Sequence, residues 1–266
     1  MLPGVGLRTE RRIRREGIER WDDFLGHGGV RFASPTRNEL WCELLARWQE
    51  ALARRDERFF KQRLARREHW RLYEVFNGDV AFLDIETTGQ APPNDETTVV
   101  GVYRGGVLTQ LVAGQNLSGD AVDAALGGVK LLVTFFGSAF DLPFLQKEFS
   151  YLRFDFPHFD LCFGAKRLGV QGGLKKVERL YGLERDADLA GLDGYDAVKL
   201  WQAHLHGMPG ALEKLLRYNA ADTVNLAALA DILYERLCAA AAGARPGGVS
   251  PFVIRPTNVN PRGGTT

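Results

Sequence analysis

The stretch Val80-Ala81-Phe82-Leu83-Asp84-Ile85-Glu86-Thr87-Thr88-Gly89 decides the fold. Four apolar residues lead into two acids and a Thr-Thr-Gly turn, the text of a buried central strand that ends at a sheet edge. Residues two apart on a strand share a face, so Asp84 and Glu86 point together. Two neighbouring carboxylates closing an apolar strand are costly unless positive charge lies between them. A divalent cation that prefers oxygen ligands supplies that charge. Taken alone, the pair is also what exposed strand-end acids look like.

Downstream, Val99-Val-Gly-Val-Tyr-Arg and Val107-Leu-Thr-Gln-Leu-Val flank Gly105-Gly106 and read as a hairpin. Residues 130–136 form another apolar strand and 139–149 a helix; beyond 160 the text is helical over 161–168, 173–181, 195–205 and 211–237. Upstream, Leu40, Leu44, Leu45, Trp48 and Leu52 recur at helical spacing behind a cap at Ser34 or Thr36, and a second helical run covers 59–76. Helices, then strands with one crossover, then helices again predict an α/β fold, a mixed sheet flanked by helices. The expected divisions are an arginine-rich helical region over 1–77, the sheet domain over 78–238 and a loose tail over 239–266.

Two further segments carry acids. In Thr134-Phe135-Phe136-Gly137-Ser138-Ala139-Phe140-Asp141, Gly137 permits a sharp turn, and Asp141 falls in a first helical turn where the dipole favours an anion. That is also ordinary helix-start chemistry. In Arg217-Tyr218-Asn219-Ala220-Ala221-Asp222, Tyr218 and Asp222 stand one helical turn apart on a shared face. A mid-helix aspartate costs helix propensity, and facing solvent is the ordinary reason to find one.

In this order, Asp84, Glu86, Asp141, Tyr218 and Asp222 resemble the DEDDy branch of the ribonuclease-H-like 3′–5′ exonuclease superfamily. More closely, Ala81-Phe-Leu-Asp-Ile-Glu-Thr-Thr-Gly, Gly172-Gly-Leu-Lys-Lys-Val-Glu-Arg-Leu-Tyr-Gly-Leu-Glu-Arg and Leu215-Leu-Arg-Tyr-Asn-Ala-Ala-Asp resemble the YprB-like family, over roughly residues 78–235. The resemblance implies a ribonuclease-H-like fold in which the four acids hold two Mg²⁺ or Mn²⁺ ions and Tyr218 positions the attacking water. It implies a substrate of single-stranded DNA or RNA, shortened from its 3′ end to nucleoside 5′-monophosphates. Thr87, Phe136, Lys175 and Lys176 stand where such a strand would be held, although two lysines at a helix start also fit simple solvation. Relatives commonly carry Asn where this chain has Phe136, so the substrate contact differs there.

The bulk composition gives no hint of this substrate. The 266 residues are 45% hydrophobic and 25% charged, with a net charge of +1. No run approaches 18 apolar residues, which argues against a membrane span, and Arg11-Arg12-Ile13-Arg14-Arg15 stands where a signal-peptide core would lie. Cys42, Cys162 and Cys238 are odd in number and dispersed, which favours a reducing cytoplasm over a disulfide framework. The total hides a split, because residues 1–78 hold 17 Lys and Arg against 12 Asp and Glu, whereas 79–266 hold 17 against 21.

Leu2-Pro3-Gly4-Val5-Gly6-Leu7-Arg8-Thr9-Glu10 resembles a helix-hairpin-helix element, whose Gly-x-Gly turn offers backbone N–H groups to a phosphate. Arg8, Arg11 and Arg12 would add charge for sequence-independent binding. A small helical cap on the catalytic part, with Trp21 and Phe24 in its core, accounts for the same text. The arginines of 59–76 fit a solvated helix face or phosphate contact equally. His158 and Asp160 read as a local turn, His204 and His206 diverge around a helix, and neither a Ser-His-Asp order nor a P-loop occurs. The expectation is a cytoplasmic, monomeric, divalent-metal-dependent 3′–5′ exonuclease. A nucleic-acid-binding module with little nuclease activity and a structure-selective endonuclease are the alternatives.

Overall fold

A computed structural model describes residues 4–89 and 94–242. Five strands, β1 (Val80–Thr87), β2 (Thr97–Arg104), β3 (Val107–Val112), β4 (Leu131–Thr134) and β5 (His158–Asp160), make one mixed sheet of order β3-β2-β1-β4-β5. The apolar β1 is central, antiparallel to β2 and parallel to β4. Gly105 and Gly106 both take positive φ (55° and 83°), which lets the β2–β3 turn follow the strand twist.

Helices cover both faces. Val80 and Phe82 point with Leu131, Val133 and Phe159 toward α7 (Leu161–Arg167) and the 32-residue α10 (Ala211–Ala242), which contributes Leu226, Leu229, Ala230 and Leu233. Ala81, Leu83 and Ile85 point the other way, against α5 (Gly119–Ala125) and α6 (Asp141–Glu148). Further along α10, Leu215 and Tyr218 pack with Val99, Val112 and Trp201 of α9 (Gly194–Leu205). The remaining helices are α1 (Leu7–Arg15), α2 (Trp21–His27), α3 (Pro35–Ala53), α4 (Glu57–Arg63) and α8 (Leu174–Leu180). Val5, Ile13, Ile18, Phe24, Trp41 and Leu45 form a small N-terminal core, while Trp48, Phe60 and Phe76 join the core beneath the sheet. No helix among the described residues is long and apolar enough to cross a membrane.

Three local expectations change. The helical run over 59–76 breaks at Leu64, where the backbone is extended, and resumes as a 3₁₀ helix, Arg66–Leu72. Five consecutive residues, Glu68 to Leu72, are buried there, which one α-helical face cannot achieve but a tight wedge between other elements can. Its Arg71 is neither solvated nor facing a ligand: it pairs with Glu10 at 3.0 Å and Glu68 at 2.8 Å inside the protein. Second, α5 was hidden in a run with one strongly apolar residue, Val122, although Ser118 caps it by accepting from the Ala121 N–H. Third, His158 and Asp160 belong to strand β5, not a turn; three residues are too few to show a period. The helix α10 also continues five residues beyond 237, burying Ala239 and Ala241, and the rest of the expected tail lies outside the described residues.

Candidate active site

The strand register sets out the site. Phe82 pairs with Val133, the last β1–β4 match, so Asp84 and Glu86 lie beyond the β4 partner and at the carboxyl end of the parallel strands. That end of an α/β sheet is where ligands usually bind. The face they share with Phe82 is the one covered by α10, and Asn219 of that helix donates to Asp84 Oδ2 at 3.2 Å. Gly101, the β2 partner of Asp84, makes this approach feasible: a Cβ there would lie 2.3 Å from Thr223 Oγ1 and 2.5 Å from Asn219 Oδ1. The next turn of α10 presents Asp222. One carboxylate oxygen from each of Asp84, Glu86 and Asp222 lies within 4.8 Å of the others. The solvent-facing reading of Asp222 is therefore excluded, since the residue is buried.

These acids are held against their electrostatic preference. Burial, followed by repulsion from Asp222 and Glu86, pushes the Asp84 carboxyl well above the usual carboxylate range. Glu86 is raised by burial and Asp222, and its Oε1 is buried without a hydrogen-bond partner among the described residues. An all-oxygen donor set, surplus negative charge and an unpaired buried carboxylate oxygen fit a hard divalent cation.

Two cations on the neighbouring segment answer part of that charge. Lys175 lies 4.2 Å from the Tyr218 ring centroid and hydrogen-bonds its hydroxyl, and Asp222 and Glu86 partly offset the desolvation that lowers its pKa. The guanidinium of Arg185 is only 5% exposed; it forks onto Glu178 at 2.8 and 2.7 Å and forms an ion pair with Asp222. Burial, and then the neighbouring acids, shift the Tyr218 hydroxyl far upward, so it stays protonated and can donate.

Three converging acids, a tyrosine one turn before the last, and a sheet of this order fit one superfamily. The chain belongs to the ribonuclease H superfamily. The sequence profile of RNase_H_2, a family of the RNase_H superfamily, matches residues 81–234. Among solved structures, a nuclease in its apo form is similar over 62% of this chain and 76% of its own, with 22% identity and a TM-score of 0.45. Brucella melitensis NrnC is similar over 61% of this chain: bound to pGG, over 84% of its own (22% identity, TM-score 0.33), and with bound Mg²⁺, over 85% (22% identity, TM-score 0.35). No curated protein matches the chain.

Within this ribonuclease-H-like frame, Asp141 stands slightly apart from the tight triad. It is the first residue of α6, and its carboxyl is buried. Burial raises it to about 7. The loop before it is organised by Asp160, a residue given no site role from sequence. Asp160 accepts from the N–H groups of Phe136 (2.8 Å), Ser138 (3.1 Å) and Cys162 (3.1 Å), and from the Ser138 hydroxyl at 2.5 Å.

The sharp turn expected at Gly137 belongs to its neighbour. Phe136 takes φ +66°, whereas Gly137 is needed because a Cβ would lie 2.3 Å from Thr134 Oγ1. A left-handed phenylalanine costs about 1–2 kcal/mol, and asparagine tolerates that region better. Asparagine would thus be the easier residue for this backbone.

The other expected contacts are scattered. Thr87 is buried and its hydroxyl donates to the Gly89 carbonyl. Lys176 is exposed one position past Lys175, against Gly172. Gly6 opens α1 as expected, but residues 1–3 of the hairpin-like motif lie outside the described residues. Arg11 donates to the Ala240 carbonyl at 3.2 Å, and Arg12 stacks 4.0 Å from the Phe32 ring centroid. Ala240 is 18 residues along α10 from Asp222, about 27 Å of helix, so the structure does not bring Arg11 to the acids. Arg8 is exposed on the same helix. Arg185, Glu178 and Asn219 were missed as site residues, because only the fold brings the 172–185 segment and α10 together.

Proposed function

We propose that the chain is a divalent-metal-dependent 3′–5′ exonuclease on single-stranded nucleic acid. The observation that carries the reading is the convergence of Asp84, Glu86 and Asp222 around an unpaired buried carboxylate oxygen, beside a protonated Tyr218. Asp84, Glu86, Asp222 and Asp141 would hold two Mg²⁺ or Mn²⁺ ions. Bound there, the ions would sharpen a water as nucleophile and offset charge on the leaving 3′-oxygen.

The chain's own groups do the rest. Tyr218 Oη, steadied by Lys175, donates to the incoming water and sets its line of attack. Arg185 fixes Asp222 and opposes the rise that burial imposes on its carboxyl; it is itself held by Glu178, which also accepts from Asn225 at 3.1 Å. Lys175 adds positive charge where the scissile phosphate would approach. The polarity of digestion rests on the motif resemblance.

The test uses 5′-labelled and 3′-labelled single strands of DNA and RNA in Mg²⁺, Mn²⁺ or EDTA. A ladder from the 5′ label with early mononucleotide from the 3′ label is expected with metal and absent in EDTA. Internal fragments would mean an endonuclease, and digestion undiminished by EDTA would remove the metal from the reading.

A further inference from the structure

Beside the loop that runs from Phe136 to Asp141 lies a surface that the reaction does not use. Phe136 and Phe163 are 42% and 49% exposed, with ring centroids 6.3 Å apart and planes inclined by 37°. The Lys166 ammonium sits 4.9 Å from the Phe163 centroid and 5.6 Å from that of Phe136, with no ion-pair partner among the described residues. A cavity of about 610 Å³ opens next to them between α7, the 3₁₀ helix and α1. Phe163, Arg66, Arg67, Arg167, Trp70 and Leu7 line it. Arg66 is exposed and has no ion pair among the described residues, and the Trp70 indole N–H has no acceptor among them. The one acid in the wall, Asp160, is already occupied by three backbone N–H groups and a hydroxyl.

Arg67 and Arg167 pair with Glu68, which leaves Lys166 and Arg66 as the cations without an ion pair among the described residues. Exposed aromatic rings beside such cations are the surface chemistry of single-stranded nucleic acid, whose bases stack and whose phosphates need countercharge. Water gives two phenylalanines no reason to stay exposed, and Phe136 also holds an unfavourable backbone conformation that asparagine would relieve. We propose that Phe136, Phe163 and Lys166 form a stacking shelf for a base of the bound strand. The Arg66-lined cleft then takes adjoining phosphates. Asp160 joins shelf and centre, since it holds the Phe136 loop that leads into Asp141. The N-terminal region thus contributes to strand binding through the 3₁₀ helix, not through Arg11 or Arg12. The inference rests on the nuclease reading for the identity of its ligand as a nucleic-acid strand.

The test is fluorescence anisotropy of the full chain with labelled oligothymidylate and oligouridylate, in Ca²⁺ to slow hydrolysis, beside thermal unfolding of each variant. Phe163→Ala and Phe136→Asn are each expected to weaken binding about tenfold, the scale of one lost base stack. Phe136→Asn should melt no lower than the unaltered chain, a result that a purely structural role for Phe136 would reverse. Arg66→Gln should reduce the steepness of the salt dependence by about one counterion. On an abasic strand of equal charge, the difference between Phe163→Ala and the unaltered chain should vanish. Binding of both phenylalanine variants within twofold of the unaltered chain, while strands are still digested, would overturn the shelf and leave the nuclease reading intact. Shelf-dependent binding without digestion would do the reverse.

Discussion

Two buried charge clusters touch the same long helix and differ in one respect, their balance. Near the Cys238–Ala240 end of α10, Glu10 and Glu68 meet four guanidiniums, those of Arg14, Arg67, Arg71 and Arg167. Around Asp222, five carboxylates (Asp84, Glu86, Asp141, Asp222 and Glu178) meet, among the described residues, only Arg185 and Lys175. Burial pushes both Glu68 and Asp84 upward. At Glu68, Arg71 and Arg167 more than reverse the effect, so its carboxyl titrates below the ordinary range; at Asp84, neighbouring acids add to it. A cluster whose acids are all answered by cations can serve as a joint, here tying α1, the 3₁₀ helix and α7 together. An unbalanced one persists only if something outside the chain completes it.

That contrast can be broken from either side. Asp84→Asn should lower metal-dependent digestion on the order of 10³-fold, about 4 kcal/mol of transition-state stabilisation. The same variant in EDTA should melt no lower than the unaltered chain, because it removes a carboxyl that its acidic neighbours repel. A large drop in melting temperature would show that Asp84 is part of a structural joint after all. Arg71→Ala should behave in the opposite way, since it removes the guanidinium that Glu10 and Glu68 share in the interior. Its expected cost is about 3–5 kcal/mol in a denaturant melt, with or without metal.

The sequence exposes the unbalanced cluster far better than the balanced one, for a physical reason. Asp84 and Glu86 interrupt an apolar strand, and Asp222 interrupts a run of Leu, Ala and Val, so each acid is out of place locally. Glu10 and Arg71 are unremarkable on their own helical segments, and nothing local says that residues 61 positions apart meet. The strands and long helices were legible for the same reason, while the three-residue β5 and the 3₁₀ wedge carry no period to read. Arg185 stayed hidden because its role exists only once α10 brings Asp222 alongside. Gly101 shows the same limit: on the sequence it is a weak point in a strand, and in the fold it is the gap into which α10 sinks. Gly101→Ala should therefore cost about 1–3 kcal/mol on thermal unfolding and loosen the Asp84–Asn219 contact that aligns the acids.

The finest test of the imbalance is its pH dependence. A carboxyl raised by folding, as Asp141 is to about 7, stabilises the folded chain fully below its unfolded value, and that contribution is lost as pH rises through about 7. His69 and His158 act in the other direction. Burial lowers both to about 4, so their contribution is present above the unfolded value near 6.5 and is lost as pH falls through about 4. The two trends oppose one another, and the raw stability of the metal-free chain is a poor reporter. A divalent ion separates them, because it competes with protons on the acids. The histidines are committed to interior partners: His158 lies 2.9 Å from Thr134 Oγ1, and His69 Nδ1 accepts the His158 N–H. The rise in melting temperature on adding Mg²⁺ or Mn²⁺ should therefore grow between about pH 5.5 and about pH 8, by roughly 2–4 °C for each kcal/mol of added metal affinity. In Asp84→Asn most of that growth should disappear, since one proton-competing ligand is gone. A metal increment equal at both pH values would mean that the acids are already ionised without metal, and that Arg185 and Lys175 suffice to balance them.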